Sequence, residues 1–186
     1  QGLTNRQALV YATAAIEGAG YKPGEDVYIA LDPASSEFYV DGIYALSRES
    51  RKLSSEEMVE EYATLAKDFP IYSVEDGLAE DDWSGWEVQT ARSGYSIQLV
   101  GDDLYVTQAR YVQQGNETKA GNSVLVKLDQ VGSVSETLDS VAIAQNANIG
   151  VVIRQRSGET EDTYIDDLAV GTSAWQIKTG DPARSE

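Results

Sequence analysis

The sequence predicts an α/β fold of parallel strand–helix units, about six strands in all, and two observations carry that expectation. The first is a set of six short apolar runs that each close on a charge: VYIALD at Asp32, YSVED at Glu75, IQLVGD at Asp102, VLVK at Lys127, VVIRQR at Arg156 and WQIK at Lys178. A strand buried on both faces reads as a continuous aliphatic and β-branched run rather than an alternating one. The second is their spacing, about 25 residues from Glu75 onward, close to the length of one strand and one crossover helix. The closing charge falls at the strand's C-terminal end, where parallel α/β folds place their chemistry. Three acids followed by three bases at this period point to one assembled site.

The elements follow in order. A helix is expected over roughly residues 5–19, ended by Gly20 and the turn Lys22-Pro23-Gly24. Strand 27–32 comes next, then a hairpin over 37–44, because Asp41-Gly42 separates two aromatic and β-branched runs. Ser54 opens a helix to about Lys67, with Glu57 three residues on in the capping-box position. Strand 71–75 leads into an acid-rich loop, residues 79–82, read as the charged start of helix 82–92 rather than a calcium loop, since it lacks alternating ligands. That helix carries the apolar Val88, and Trp83 and Trp86, three apart on one face, read as core. Strand 96–101, a helix near 107–114 and strand 123–128 follow. The helix from Ser133 repeats the capping box with Glu136 and shows an apolar stripe at Val134, Leu138, Val141 and Ala142. Strand 150–155, helix 162–173 and strand 175–179 complete the series, as a single domain over residues 1–186. An eight-stranded barrel needs two more strands, so the sheet is expected to be open, to belong to a larger barrel, or to be completed by self-association.

Composition narrows the chemistry. The net charge of −17, from 31 acids and 14 bases, speaks against nucleic acid and against anionic membranes, both of which need a basic face. There is no cysteine and no histidine, which removes thiolate chemistry, the usual zinc ligand and the commonest general base. Acid–base work must fall to Asp, Glu, Lys or Tyr. No apolar stretch reaches the length of a membrane span, so a soluble, cytoplasmic protein is expected. The 11 tyrosines, Tyr28 and Tyr72 among them, sit in or beside strands and read as packing residues.

Asp32, Glu75 and Asp102 offer three carboxylates from separate strand ends, a donor set that suits Mg²⁺. Lys127 and Lys178 close later strands; a lysine beside a metal and a second ammonium has its charged form disfavoured and can serve as a base. Arg156 with Ser157 suits a phosphate, since a guanidinium matches phosphate oxygens in pairs. Together they point to proton abstraction beside a carboxylate, with metal charge lowering the barrier.

The segments GYKPGEDVYIALDPASSEFY, SVEDGLAEDDWSGW, QLVGDDLYVT, GNSVLVKLDQVGSVSETL, RSGETEDTYIDDLAVGT and QIKTGDPARSE resemble the C-terminal TIM barrel of the enolases, in the same order and over essentially the whole chain. The resemblance implies a Mg²⁺ enzyme interconverting 2-phosphoglycerate and phosphoenolpyruvate. It implies Asp32, Glu75 and Asp102 as metal ligands, Lys127 as the base at C2, Arg156 and Ser157 on the substrate phosphate, and Lys178 on its carboxylate. Three departures bear on that reading. Arg154-Gln155 stand where the family reads Ser-His, and Asp129 stands where the family has Asn. The family's N-terminal domain, with the glutamate that protonates the leaving hydroxyl, has no counterpart here, and the family continues past DPARSE into a last helix. A positioned general acid contributes about 10²–10⁴-fold, so this chain alone is expected to be a weak or inactive enolase. The alternative is a barrel fragment, natural or engineered, that keeps the ligand set as inheritance and acts as a scaffold or binding module. In either case a second copy or a complementing chain is expected to cover the open sheet edges.

Overall fold

Every apolar run expected as a strand forms one. A computed structural model describes residues 2–156 and 160–180, and the chain divides into two compact units, Gln1–Leu99 and Val100–Glu186.

In the first unit, the Thr4 hydroxyl accepts from the Gln7 amide while the Gln7 side chain accepts from the Thr4 amide. This reciprocal cap opens α1 (Asn5–Gly18), and Gly20, at φ 87°, follows its end. After β1 (Ile29–Leu31), Asp41 and Gly42 take φ values of 51° and 82°, the left-handed pair a two-residue hairpin turn requires. They join β2 (Tyr39–Val40) antiparallel to β3 (Ile43–Leu46). A further strand, β4 (Arg51–Leu53), pairs with β3; with one apolar residue in three it gave no sequence signal. Ser54 and Glu57 cap α2 (Ser55–Asp68) reciprocally, as expected. β5 (Ile71–Glu75) then lies parallel to β1, with Leu31 opposite Val74.

Asp82 caps α3 (Trp83–Ser93), which packs on α2. The core of this unit gathers Tyr44, Met58, Val59, Leu65, Val74, Leu78 and Trp86. The Trp86 indole donates to the Ala79 carbonyl at 3.1 Å, whereas Trp83 is only half-buried. Val88 does not join the core: it is 44% exposed, and its neighbour Gln89, 1% exposed, turns inward instead. Tyr28 and Tyr72 stack edge-on, 5.8 Å apart, on the outer side of the β1–β5 pair. β6 (Gln98–Gly101) extends this sheet in the order β1–β5–β6 and carries the chain across the division between the units.

In the second unit the order is β6–β7–β8–β9, with parallel pairing of β7 (Ser123–Val126), β8 (Gly150–Arg154) and β9 (Gln176–Lys178). Val100, Leu125 and Val152 from three successive strands form a buried cluster. α4 (Ala109–Thr118) packs against α6 (Val134–Asn146), and α7 (Tyr164–Gly171) covers β8 and β9. A one-turn helix, α5 (Leu128–Val131), follows β7 directly. Tyr105 lies between Gly101 and Gly115, where a Cβ would stand 2.6 and 2.5 Å from its ring, so both positions need glycine. Its hydroxyl donates to the Ala120 carbonyl.

Of the apolar stripe expected on α6, only Val141 lies on its buried face. Val134 and Leu138 are 43% and 42% exposed, Ala142 is exposed, and Thr137, Ser140, Val141 and Ala144 turn inward. The two hydroxyls can be buried because they bond to carbonyls of their own helix, Thr137 to Ser133 and Ser140 to Glu136, and Ser140 also reaches the Thr107 carbonyl at 2.6 Å.

Candidate active site

Asp32, Glu75, Asp102, Lys127 and Lys178 each end a strand or follow it directly, whereas β8 ends on Arg154 and Arg156 lies two residues beyond it. In the first unit, Glu75 is the last residue of β5 and 6% exposed, while Asp32, an exposed residue, follows β1 directly. Because Leu31 is in register with Val74, the two carboxylate-bearing residues stand level on neighbouring parallel strands. The loops beyond them are stitched together: the Ser35 amide donates to the Asp76 carbonyl at 3.1 Å, and the Ser35 hydroxyl to the Gly77 carbonyl at 2.8 Å.

The acid-rich loop that follows is structural, as the sequence indicated. Asp82, 7% exposed, accepts from the Tyr44 hydroxyl at 2.7 Å, the Ser55 hydroxyl at 2.6 Å and the Gly85 amide at 3.1 Å. Tyr44 in turn accepts from the Ala79 amide at 2.9 Å. Burial above all, with the Asp82 charge beside it, pushes the Tyr44 hydroxyl well above the ordinary tyrosine range, against the lowering effect of the Ala79 amide.

In the second unit Asp102 follows β6 and Lys127 follows β7. The Lys127 ammonium meets Asp102 Oδ2 at 2.5 Å, and both side chains are under a tenth exposed. Arg154, the last residue of β8, brings Nη1 to 3.6 Å from the same oxygen. Lys178 ends β9 in register with Arg154. Arg156 meets an acid of the turn after β7. Its Nε lies 3.8 Å from Asp129 Oδ2, and both side chains are near half-exposed. Ser157 lies outside the described residues.

Thr107 was not singled out by the sequence. Val106 and Thr107 both adopt left-handed backbone, φ 42° and 56°, a costly state for β-branched residues. That turn is held by the Asp102 carbonyl, which accepts from the Tyr105 and Val106 amides. It aims the buried Thr107 hydroxyl so that it accepts from the Lys127 backbone amide at 3.0 Å and donates to Gln130 Oε1 at 2.8 Å. The side chain therefore fixes where β7 ends and where Lys127 begins. A backbone conformation of this kind leaves no mark in composition or periodicity.

The family model for the enolase C-terminal TIM barrel domain matches residues 3–186. The chain belongs to the enolase family. A curated relative, Enolase 1 of Methanospirillum hungatei JF-1, is 52% identical over 183 residues, which is 98% of this chain and 43% of the relative. The chain thus spans less than half the length of that enolase. The α/β class and the six parallel strands are those of an incomplete enolase-type barrel. Among the described residues, no helix is long and apolar enough to cross a membrane.

Proposed function

We propose that the chain carries the proton-abstracting half of an enolase-type site, acting on 2-phosphoglycerate with Mg²⁺. The observation that supports this most is the buried Lys127–Asp102 pair at 2.5 Å, set at the exits of adjacent parallel strands. Lys127 accepts the C2 proton at Nζ. Thr107 holds its backbone in place, while Arg156 and Ser157 bind the substrate phosphate and Lys178 the carboxylate. In this reading Asp32, Glu75 and Asp102, two of them buried, are the oxygen ligands, a donor type that suits a hard divalent cation. When bound, Mg²⁺ supplies the charge that makes a carbon acid beside a carboxylate weak enough in its hold on the proton to yield to an amine. The acid half of the reaction has no counterpart among these residues, so net dehydration by this chain alone is expected to be slow.

The base half is tested without the acid half. Exchange of the C2 hydrogen of 2-phosphoglycerate for solvent deuterium, followed by NMR, needs only a base. Mg²⁺-dependent exchange that disappears in Lys127→Ala supports the reading; exchange that is absent, or unchanged in that variant, refutes it.

A second reading, a non-catalytic scaffold or binding module with an inherited ligand set, is favoured by one observation: Arg154 stands against Asp102. We also propose a cytoplasmic protein, acidic enough to avoid nucleic acid and anionic membranes, whose sheet edges are covered by a second copy or a complementing chain. Among the described residues β1 and β9 each have one sheet neighbour. The first unit has an apolar cavity of about 520 Å³ lined by Leu9, Leu31, Phe38, Leu46 and Met58. α1 beside it exposes Val10 and Tyr11. Light scattering across a concentration series would show whether the chain self-associates.

A further inference from the structure

Asp102 has two cations on one carboxylate oxygen, and only one of them is accounted for by the proton-abstracting role. Lys127 reaches Oδ2 at 2.5 Å and Arg154 Nη1 stands 3.6 Å from it. The surroundings are largely dry: the Asp102 and Arg154 side chains are 7% and 21% exposed, so the attraction is less screened than at the surface. The two cations also differ in kind. A lysine can give up its proton and leave a neutral amine, whereas a guanidinium stays charged at any pH a protein survives. Arg154 is further fixed by its place at the end of β8, hydrogen-bonded into the sheet between β7 and β9.

We propose that Arg154 is a resident cation competing with a divalent metal for Asp102, so that this chain binds metal more weakly than its carboxylates alone would allow. The proposal rests on the reading of Asp102 as a metal ligand. A divalent ion arriving at Asp102 must displace or repel a permanent positive charge close to the oxygen it needs. Removing that charge relieves the repulsion and leaves the carboxylate in place. Arg154 thereby sets metal affinity without touching substrate, and the scaffold-like and enzyme-like readings of the chain differ at this one position.

The test is a Mn²⁺ titration of the intact chain, read by electron paramagnetic resonance of the free ion and so independent of turnover. Arg154→Ser is expected to bind Mn²⁺ about tenfold more tightly than the parent or better, Arg154→Lys to stay near the parent, and Asp102→Asn in the Arg154→Ser background to lose the gain. Arg154→Gln, neutral but closer in size, gives the same reading if the serine variant does not fold. Equal or weaker binding in the neutral variants overturns the proposal, as does a gain that survives Asp102→Asn. If no variant binds Mn²⁺, the proposal and the metal-ligand reading fail together. If binding rises as described while deuterium exchange ignores Lys127, the proton-abstraction reading fails and the role of Arg154 stands.

Discussion

Asp82 and Asp102 are both buried carboxylates in the connections that follow parallel strands, and their partners separate them. Asp82 takes two neutral hydroxyls and an amide, from β3, from the start of α2 and from the first turn of α3. Asp102 takes two cations, from the ends of β7 and β8. A carboxylate held by neutral donors from three elements is a joint, its charge matched by geometry. A carboxylate held by cations is poised for exchange, because another cation can take either place. The same residue type, similarly buried, ties three elements together in one unit and meets two cations in the other.

The comparison breaks most easily at Asp82. Asp82→Ala removes the acceptor for three donors and the α3 cap at once, and is expected to cost about 3–5 kcal/mol, the range for opening a buried charged network. Urea unfolding measures it, and a loss under 1 kcal/mol would show that the joint is dispensable. A positioning change in the other unit should cost less stability and move chemistry instead. Thr107→Ala removes the hydrogen bonds to the Lys127 amide and to Gln130, each worth about 1 kcal/mol, and is expected to lower Lys127-dependent deuterium exchange about tenfold or more. Thr107→Ser should restore it. Equal exchange in all three proteins would assign Thr107 a purely structural part.

Gln89 offers the reverse case, a buried polar group with neither kind of partner: among the described residues no atom bonds to its amide nitrogen or oxygen. Gln89→Leu is expected to raise stability by about 1–3 kcal/mol, again read by urea unfolding; a loss of stability would mean that the amide is satisfied. The smallest effect is alkaline. Burial first of all pushes the Tyr44, Tyr62 and Tyr105 hydroxyls up. Folded-state values above the unfolded one favour the protonated, folded form. This stability is therefore complete below about pH 10, where unfolded tyrosine ionises, and drains away as pH rises beyond it. Tyrosinate absorbance and circular dichroism should change together for these three residues; ionisation without unfolding would contradict it.

Strands were the most legible part of the fold because parallel strands are covered on both faces, and runs such as VLV and VVI need no alternation to be recognised. Caps were equally clear, since Ser54 with Glu57 has a chemical logic independent of the rest of the chain. Helix faces were less so. In α6 the sequence offered Val134 and Leu138, but Thr137, Ser140 and Ala144 are among those that turn inward, small and self-satisfied in their hydroxyls. In α3 a glutamine took the inward place beside a valine. At the site the sequence identified the charges and their strand ends. It marked Arg154 as an added cation, yet it could not show which carboxylate Arg154 meets, nor that Arg156 faces Asp129. Those facts depend on side-chain direction, and Thr107 depends on two strained backbone angles.

The central claim is that Lys127, held against Asp102, is a base for carbon-bound hydrogen. Deuterium exchange at C2 of 2-phosphoglycerate, with Mg²⁺ present and Lys127→Ala alongside, tests it most directly. The claim predicts exchange in the parent chain and a loss of about 10²-fold or more in the variant; equal rates in the two proteins would contradict it.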